Sequence, residues 1–441
     1  MKTEITFAVT GESIINRRIS VFADEKFLAL LKIIRGADVA YTHLESVIHD
    51  YDGPEVYPAA ESGNNWMRSP RFVADELKWA GFSVISLAHN HSLDYSYGGL
   101  FSTITAVDEA GLTHAGTGRN LGEAREPAYL DTARGRVALI SMTSSFTGWA
   151  RAGDARRDMK GRPGLNPLRY HYVASAATIE AERRRAVSIG LGVVKLGKEW
   201  LFYQPSSPHD YYKFVEGEGP GISTAANEDD AEGNLRSIRD AARQADYVLV
   251  HLHSHEWHPD KGMDVPPDFM PPFARACIDA GGHIFIGEGH MEPKGIEVHK
   301  GRPIFYGPGE FIGMSKTVTR LPADFYNRPG FGPEARNWEA TTADAFDARD
   351  SLPKPLNPPH RAHGTPEGSV VALCSFGDGG RLTEFQLYPI TLTRKPRSRS
   401  GLPMLAEAGA AEKLTEHMGK LSAPFGTKIE FKNGKGVVKL T

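Results

Sequence analysis

Residues 247–257 read YVLVHLHSHEW. The apolar run Tyr247–Val250 passes without a turn residue into His251, His253 and His255, then Glu256 and Trp257. In an extended chain residues two apart share a face, so the three imidazoles project together while Leu252 and Ser254 take the other side. One such histidine is ordinarily a packed core residue bonded to a carbonyl. Three at this spacing form a ready-made metal ligand set.

Four more apolar runs end the same way. ITFAVT runs into Gly11-Glu12, DVAYT into His43-Leu44-Glu45, FSVISLA into His89-Asn90-His91, and HIFIG into Glu288-Gly289-His290. In layered α/β folds, ligands and chemistry collect beyond the carboxyl ends of the strands. Five such ends carrying imidazoles, carboxylates and an amide predict one shared metal centre.

The helices between these runs are legible too. Phe27, Leu30, Leu31 and Ile34 have amphipathic spacing, with Asp24 available as N-cap. Ser69-Pro70 reads as a cap and first-turn proline of a helix stopping at Gly81, and Leu100, Ile104 and Val107 mark another ending at Gly111. Residues 146–232 break the alternation, with one charged helix at about 174–189 between irregular segments. Residues 314–366 are Pro-rich and irregular, with Phe325, Tyr326, Trp338 and Phe346 as aromatic anchors. Both stretches read as lid-like insertions. Strands SVVALCSF and LTEFQLYPI follow, then a helix at about 403–420 and a hairpin turned at Asn433-Gly434.

Composition narrows the classes. The 441 residues are 40% hydrophobic and 24% charged, with a formal net charge of −3. That gives no electrostatic case for nucleic acid or a membrane surface, and the basic run at 394–399 reads as a solvated loop. No apolar segment has bilayer length and none reads as a signal peptide. Two isolated cysteines, Cys277 and Cys374, read as reduced, packed thiols. A cytoplasmic protein is expected.

The segments GES, THLES, HNHSLDY, HAGTG, LNPLRY, HSHEWHPD and GEGHMEPKGIEVHKGRPIFYGPGEF follow in an order that resembles the CapA family. That family is named for bacterial capsule and poly-γ-glutamate synthesis and is related to calcineurin-like metallophosphoesterases. The resemblance covers about residues 4–312 closely. It implies a four-layer α/β/β/α sandwich over residues 1–393, with 394–441 a helix-and-hairpin extension packed on the same domain. Glu12 inherits the position of the family's first-ligand aspartate. Glu45 and Asn90 match ligand positions, and His91 matches the histidine that assists the leaving group. His253, His255, Glu256 and Trp257 match His-x-His-Glu-Trp, leaving His251 extra.

The departures concentrate at the strand ends. His43 stands where the family has an amide and His89 where it has asparagine. Glu288-Gly289-His290 replaces a histidine-rich motif, and Pro308-Gly309-Glu310-Phe311 replaces Leu-Gly-Asn-Phe. Most replacements are themselves good ligands, which points to a rebuilt centre rather than a lost one. The expected site holds one or two divalent ions (manganese, zinc or iron) on Glu12, Glu45, Asn90, His253, His255 and His290. His91 is the general acid, and His43, His89, His251, Glu256 and Glu288 are further candidates. Asp94 and Glu256 are available to orient imidazoles. The expected function is hydrolysis of an amide or phosphoester bond in a small organic or γ-glutamyl-type substrate. A non-catalytic accessory role in capsule or polyglutamate assembly, or non-hydrolytic metal chemistry, are the alternatives.

Overall fold

Strands apolar on both sides need cover on both faces. The computed structural model describes residues 4–63, 65–219, 221–353, 366–377, 380–438 and 440. Its ten-stranded sheet is centred on Ile5–Ile14, which pairs parallel with Val39–Leu44 and antiparallel with Ser369–Gly377. Val84–Ser86 and Thr113–Ala115 continue it on one side. Arg381–Leu392 and the hairpin Ile429–Lys432 with Lys435–Val438 continue it on the other.

A six-stranded sheet runs in the order Ile296–His299, Arg302–Phe305, Ile284–Glu288, Tyr247–His253, Gly135–Thr143, Ala128–Thr132, its middle four strands parallel. The two sheets share a core that includes Phe7, Val9, Tyr41, Leu139, Leu249, Ile286, Phe305 and Phe385. Phe27, Leu30, Leu31 and Ile34 of helix Glu25–Arg35 join Val73 and Leu77 of helix Val73–Ala80 in the core beside the first sheet. Ile238 of Glu228–Ala242 and Phe273 and Cys277 of Met270–Asp279 do the same beside the second. Each such large side chain contributes about 1.5–3 kcal/mol by burial.

Several expectations need correction. The first strand does not stop before Gly11; it continues through Glu12 to Ile14 with a register shift between Val9 and Glu12. Asp24 sits at the N-cap position but makes no capping hydrogen bond, and it pairs instead with Arg399 at 3.1 Å. Ser69 lies in the short strand Arg68–Ser69, its hydroxyl 2.6 Å from that of Ser46, and the following helix begins at Val73.

The segment 146–232 is not mainly irregular. Besides helix Ala176–Ser188 it forms a five-stranded sheet of Tyr170–Ala174, Gly192–Leu196, Glu199–Gln204, Ser207–Glu216 and Ile222–Ala226. Its alternation was hidden by polar faces and glycine turns. In the second insertion Phe325 and Phe346 pack in a buried cluster, but Trp338 is 99% exposed and anchors nothing. Residues 354–365 of that insertion lie outside the described residues. Cys277 and Cys374 are both free and buried.

Candidate metal centre

The five parallel strand ends bring their polar side chains to one edge of the paired sheets. Two glycines make the approach possible. A Cβ on Gly11 would lie 1.8 Å from the Gly309 carbonyl oxygen, so a side chain at 11 would drive the two backbones apart. This crossing sets Glu12 in register with both His43 and Glu310. Gly289, at φ 130°, turns the chain directly after Glu288, and a Cβ there would meet the Ser254 backbone at 2.5 Å.

The inner part of the centre converges on one atom. Glu288 Oε1 lies 2.8 Å from His253 Nδ1, 2.9 Å from His251 Nε2 and 3.3 Å from His43 Nε2. The far nitrogens have partners of their own. Ser86 Oγ is 2.7 Å from His43 Nδ1 and 2.7 Å from Tyr41 Oη, and Ser141 Oγ is 2.9 Å from His251 Nδ1. His253 Nε2 donates to Asn90 Oδ1 at 2.8 Å, while Asn90 Nδ2 donates to the Gly63 carbonyl at 3.2 Å.

The outer part is built on Glu45. Its Oε1 lies 3.5 Å from His255 Nε2 and 3.8 Å from both His253 Nε2 and His91 Nε2. The His255 side chain is 38% exposed, whereas those of His43, His251 and His253 are fully enclosed. His91 Nδ1 donates to Asp94 Oδ2 at 2.6 Å, and the same oxygen accepts from the Met67 backbone at 2.7 Å.

Burial pushes the Glu12 and Glu288 carboxyls well above the usual range, and the Glu45 charge adds to both shifts. Burial also opposes the charge on Glu45. The hydrogen bond from His255 and the charges of His91 and His255 outweigh it and hold Glu45 at about 2. Burial drives His43, His251 and His253 well below the ordinary imidazole value and takes His89 to about 3. His91 differs: burial lowers it, but Asp94 more than compensates and its pKa is raised. The neutral rings of His43, His89, His251 and His253 and the ionised Glu45 carboxylate are thus in the protonation states that metal ligation requires.

Among the atoms at the heart of the centre, Glu12 Oε2, Glu288 Oε2 and His43 Nε2 are buried without a hydrogen-bond partner. Each such orphan costs about 1–3 kcal/mol. A cation would take up the lone pairs, so the residues fit one. Two triads, His43–His253–Glu288 and Glu45–His253–His255, each hold one ligand atom per residue within 4.8 Å of the others. Mixed imidazole and carboxylate donors suit zinc, manganese or iron.

The other candidates fall around these triads. His290 Nε2 donates to the His255 carbonyl at 3.0 Å, and its ring sits 5.5 Å from that of His255 and 5.2 Å from that of Trp257. His89 Nδ1 accepts the His91 backbone N–H at 3.1 Å, and its ring lies 5.2 Å from His43. Glu256 turns away to accept the hydroxyls of Ser144, Ser145 and Ser254 at 2.6, 2.9 and 2.8 Å. Sequence reasoning missed Ser86, Ser141 and the buried Lys294, whose ammonium donates to the Glu256 carbonyl at 3.3 Å. Nothing in their spacing marks them: Ser86 and Ser141 meet His43 and His251 from the neighbouring strand of the same sheet, and Lys294 meets Glu256 from a distant loop.

Fold and site together define an α/β protein with a candidate metal centre at its strand ends. The chain belongs to the family described as bacterial capsule synthesis protein PGA_cap, whose model matches residues 6–315. It is 31% identical to an uncharacterized protein of Sinorhizobium fredii, y4sH, over 99% of this chain and 93% of that one. The capsule biosynthesis protein CapA of Bacillus anthracis is 23% identical over 66% of this chain and 59% of its own. A probable polyglutamine synthesis accessory protein of Mycobacterium tuberculosis is 26% identical over 52% and 44% respectively.

Proposed function

We propose that this chain is a metal-dependent hydrolase acting on an amide or phosphoester bond of a small organic or γ-glutamyl-type substrate, with the amide slightly favoured. The observation that carries the reading is the outer arrangement. An ionised Glu45 faces a half-exposed His255, with His91 beside them, braced by the buried Asp94. When bound, one or two ions of zinc, manganese or iron would polarise the scissile group and activate a water. Glu45 and His255 would hold the ion of the outer position, with His253, Glu12 and Asn90 adjoining and His290 behind His255.

The protein's own contribution centres on His91. Asp94 accepts from Nδ1, which fixes the ring and leaves Nε2 directed toward the Glu45 side. Asp94 also favours the protonated ring, so Nε2 can hold a proton for the leaving nitrogen or oxygen near neutral pH. The shared core between the sheets, with helices packed outside, supports reading the fold as a calcineurin-like four-layer sandwich.

The relatives' names, capsule biosynthesis and polyglutamine synthesis, support a γ-glutamyl-type substrate. The free, buried thiols support a cytoplasmic setting. No helix among the described residues is long and apolar enough to cross a membrane. Neither a nucleic acid nor a membrane is proposed as partner, in keeping with the near-neutral charge.

The test is turnover by metal-reconstituted protein of aryl phosphoesters, γ-glutamyl anilides and poly-γ-glutamate. Metal-dependent product release, reduced roughly 10²-fold or more by His91→Ala, is expected. The name of the Mycobacterium relative favours a second reading, a non-catalytic accessory protein. Metal-loaded protein that turns over nothing in the panel but binds poly-γ-glutamate would put that reading first. Turnover dependent on iron and dioxygen would instead indicate non-hydrolytic chemistry.

A further inference from the structure

Three imidazoles from both sheets meet at a single buried oxygen that the proposed hydrolysis does not use. We propose that His43, His251, His253 and Glu288 form an inner, enclosed transition-metal site, distinct from the outer position at Glu45 and His255. Its ion ties the two sheets together and exchanges slowly. The proposal shares with the hydrolase reading only the premise of metal at the strand ends, and it can fail without it.

The first argument is convergence. The nitrogens of His253, His251 and His43 lie 2.8, 2.9 and 3.3 Å from Glu288 Oε1. Imidazole–metal bonds are about 2.0–2.1 Å, so an inward movement of about 1 Å suffices to coordinate an ion at that point. Glu288 Oε2 has no hydrogen-bond partner, so no hydrogen bond at that atom opposes rotation of the carboxylate to the side of an ion.

The second argument is tautomer. Gly63 accepts from Asn90 Nδ2, which orients the amide so that Oδ1 faces His253. An amide oxygen only accepts, so His253 carries its proton on Nε2 and points its Nδ1 lone pair inward at Glu288. A neutral imidazole has one lone pair to give, and here the inner site receives it. Ser86 and Ser141 engage the Nδ1 atoms of His43 and His251, leaving both Nε2 atoms facing Glu288.

The third argument is access. His43, His251 and His253 are 0% exposed and Glu288 is 3% exposed. An ion held there has no open face for substrate, and its release requires the strand ends to part. The outer position keeps His255 half open. Three of the four inner residues, His43, the extra His251 and Glu288, stand where the motifs depart from the family pattern.

Cobalt(II) titration of the chelator-stripped full-length protein, followed by visible absorption and then EDTA challenge, tests this. Two classes of bound cobalt are expected, one lost quickly and one slower by roughly tenfold or more because local opening must precede release. Glu288→Gln and, separately, His251→Asn should abolish the slow class and spare the fast one. His255→Ala should do the reverse. X-ray absorption on the His255→Ala protein should show a shell of about three imidazoles, a readout that a merely destabilised variant would not reproduce.

A single fast class in the wild type overturns the inner site and leaves the hydrolase reading standing. A single slow class supports the inner site and overturns that reading. A slow class unaffected by both Glu288→Gln and His251→Asn overturns the assignment of ligands.

Discussion

Replacing Asp94 with asparagine isolates the one charge that distinguishes His91 from the other imidazoles. Asp94 Oδ2 accepts two hydrogen bonds, from His91 Nδ1 at 2.6 Å and the Met67 backbone at 2.7 Å, and the residue is 1% exposed. Asparagine keeps an acceptor of the same shape but removes the charge. Charge-assisted bonds contribute about 1 kcal/mol more than neutral ones, so the two bonds together predict a loss of about 2 kcal/mol.

The loss depends on pH, with a sign set by His91. Burial lowers its pKa but Asp94 raises it further, so the folded value lies above the unfolded one. That stabilisation is full below the unfolded imidazole pKa of about 6.5 and disappears as pH rises through the folded value. Urea unfolding of metal-free wild type and Asp94→Asn at pH 5.5–9 should show the largest gap at the acid end. With the charge gone and burial left, the His91 ring resonances should titrate below the wild-type value in NMR. An unchanged His91 titration together with a gap independent of pH would refute the reasoning.

Other outcomes follow from the same contacts. Gly11→Ala places a Cβ against the Gly309 carbonyl at 1.8 Å, so it should destabilise by about 3 kcal/mol or more and weaken metal uptake, measurable by denaturant titration and elemental analysis. Glu256→Gln leaves one carboxamide for three serine hydroxyls, and a loss of about 2–3 kcal/mol in thermal or urea unfolding is expected. Burial pushes Lys294 down to about 8 from an ordinary 10.5, so its charge costs stability below pH 8, and the cost fades between pH 8 and 10.5. Lys294→Met should therefore be the more stable protein at pH 7, by on the order of 3 kcal/mol, with the difference shrinking by pH 10 in urea unfolding.

The strand ends were legible because metal-ligating residues at the close of apolar runs have few structural uses. The 247–253 strand, the Glu25–Arg35 helix and the Asn433-Gly434 turn also follow directly from periodicity and turn chemistry. The small sheet at Tyr170–Ala226 was not legible. Most of its strands are short and alternate with polar residues, and Gly192–Leu196 buries no residue fully, so no long apolar run announces them. Ser69 resembled a cap because Ser-Pro commonly precedes a helix, yet its hydroxyl is taken up by Ser46 and the Ile15 carbonyl across the fold.

Within the site, sequence identified the side chains but not their division. Only packing reveals that His251 and His253 turn inward to Glu288 while His255, two residues past the strand end, faces Glu45. It also turns Glu256, a candidate from the same motif, toward three serines instead of the centre.

The claim on which the rest depends is that the strand ends bind transition metal. The direct measurement is elemental analysis of untagged protein purified without chelator, before and after dialysis against zinc, manganese or iron(II). The account predicts close to one or two equivalents, falling by about one in Glu45→Gln and in His255→Ala while the fold is retained by circular dichroism. Wild-type protein that is folded, holds no metal and takes up none of the three would contradict it.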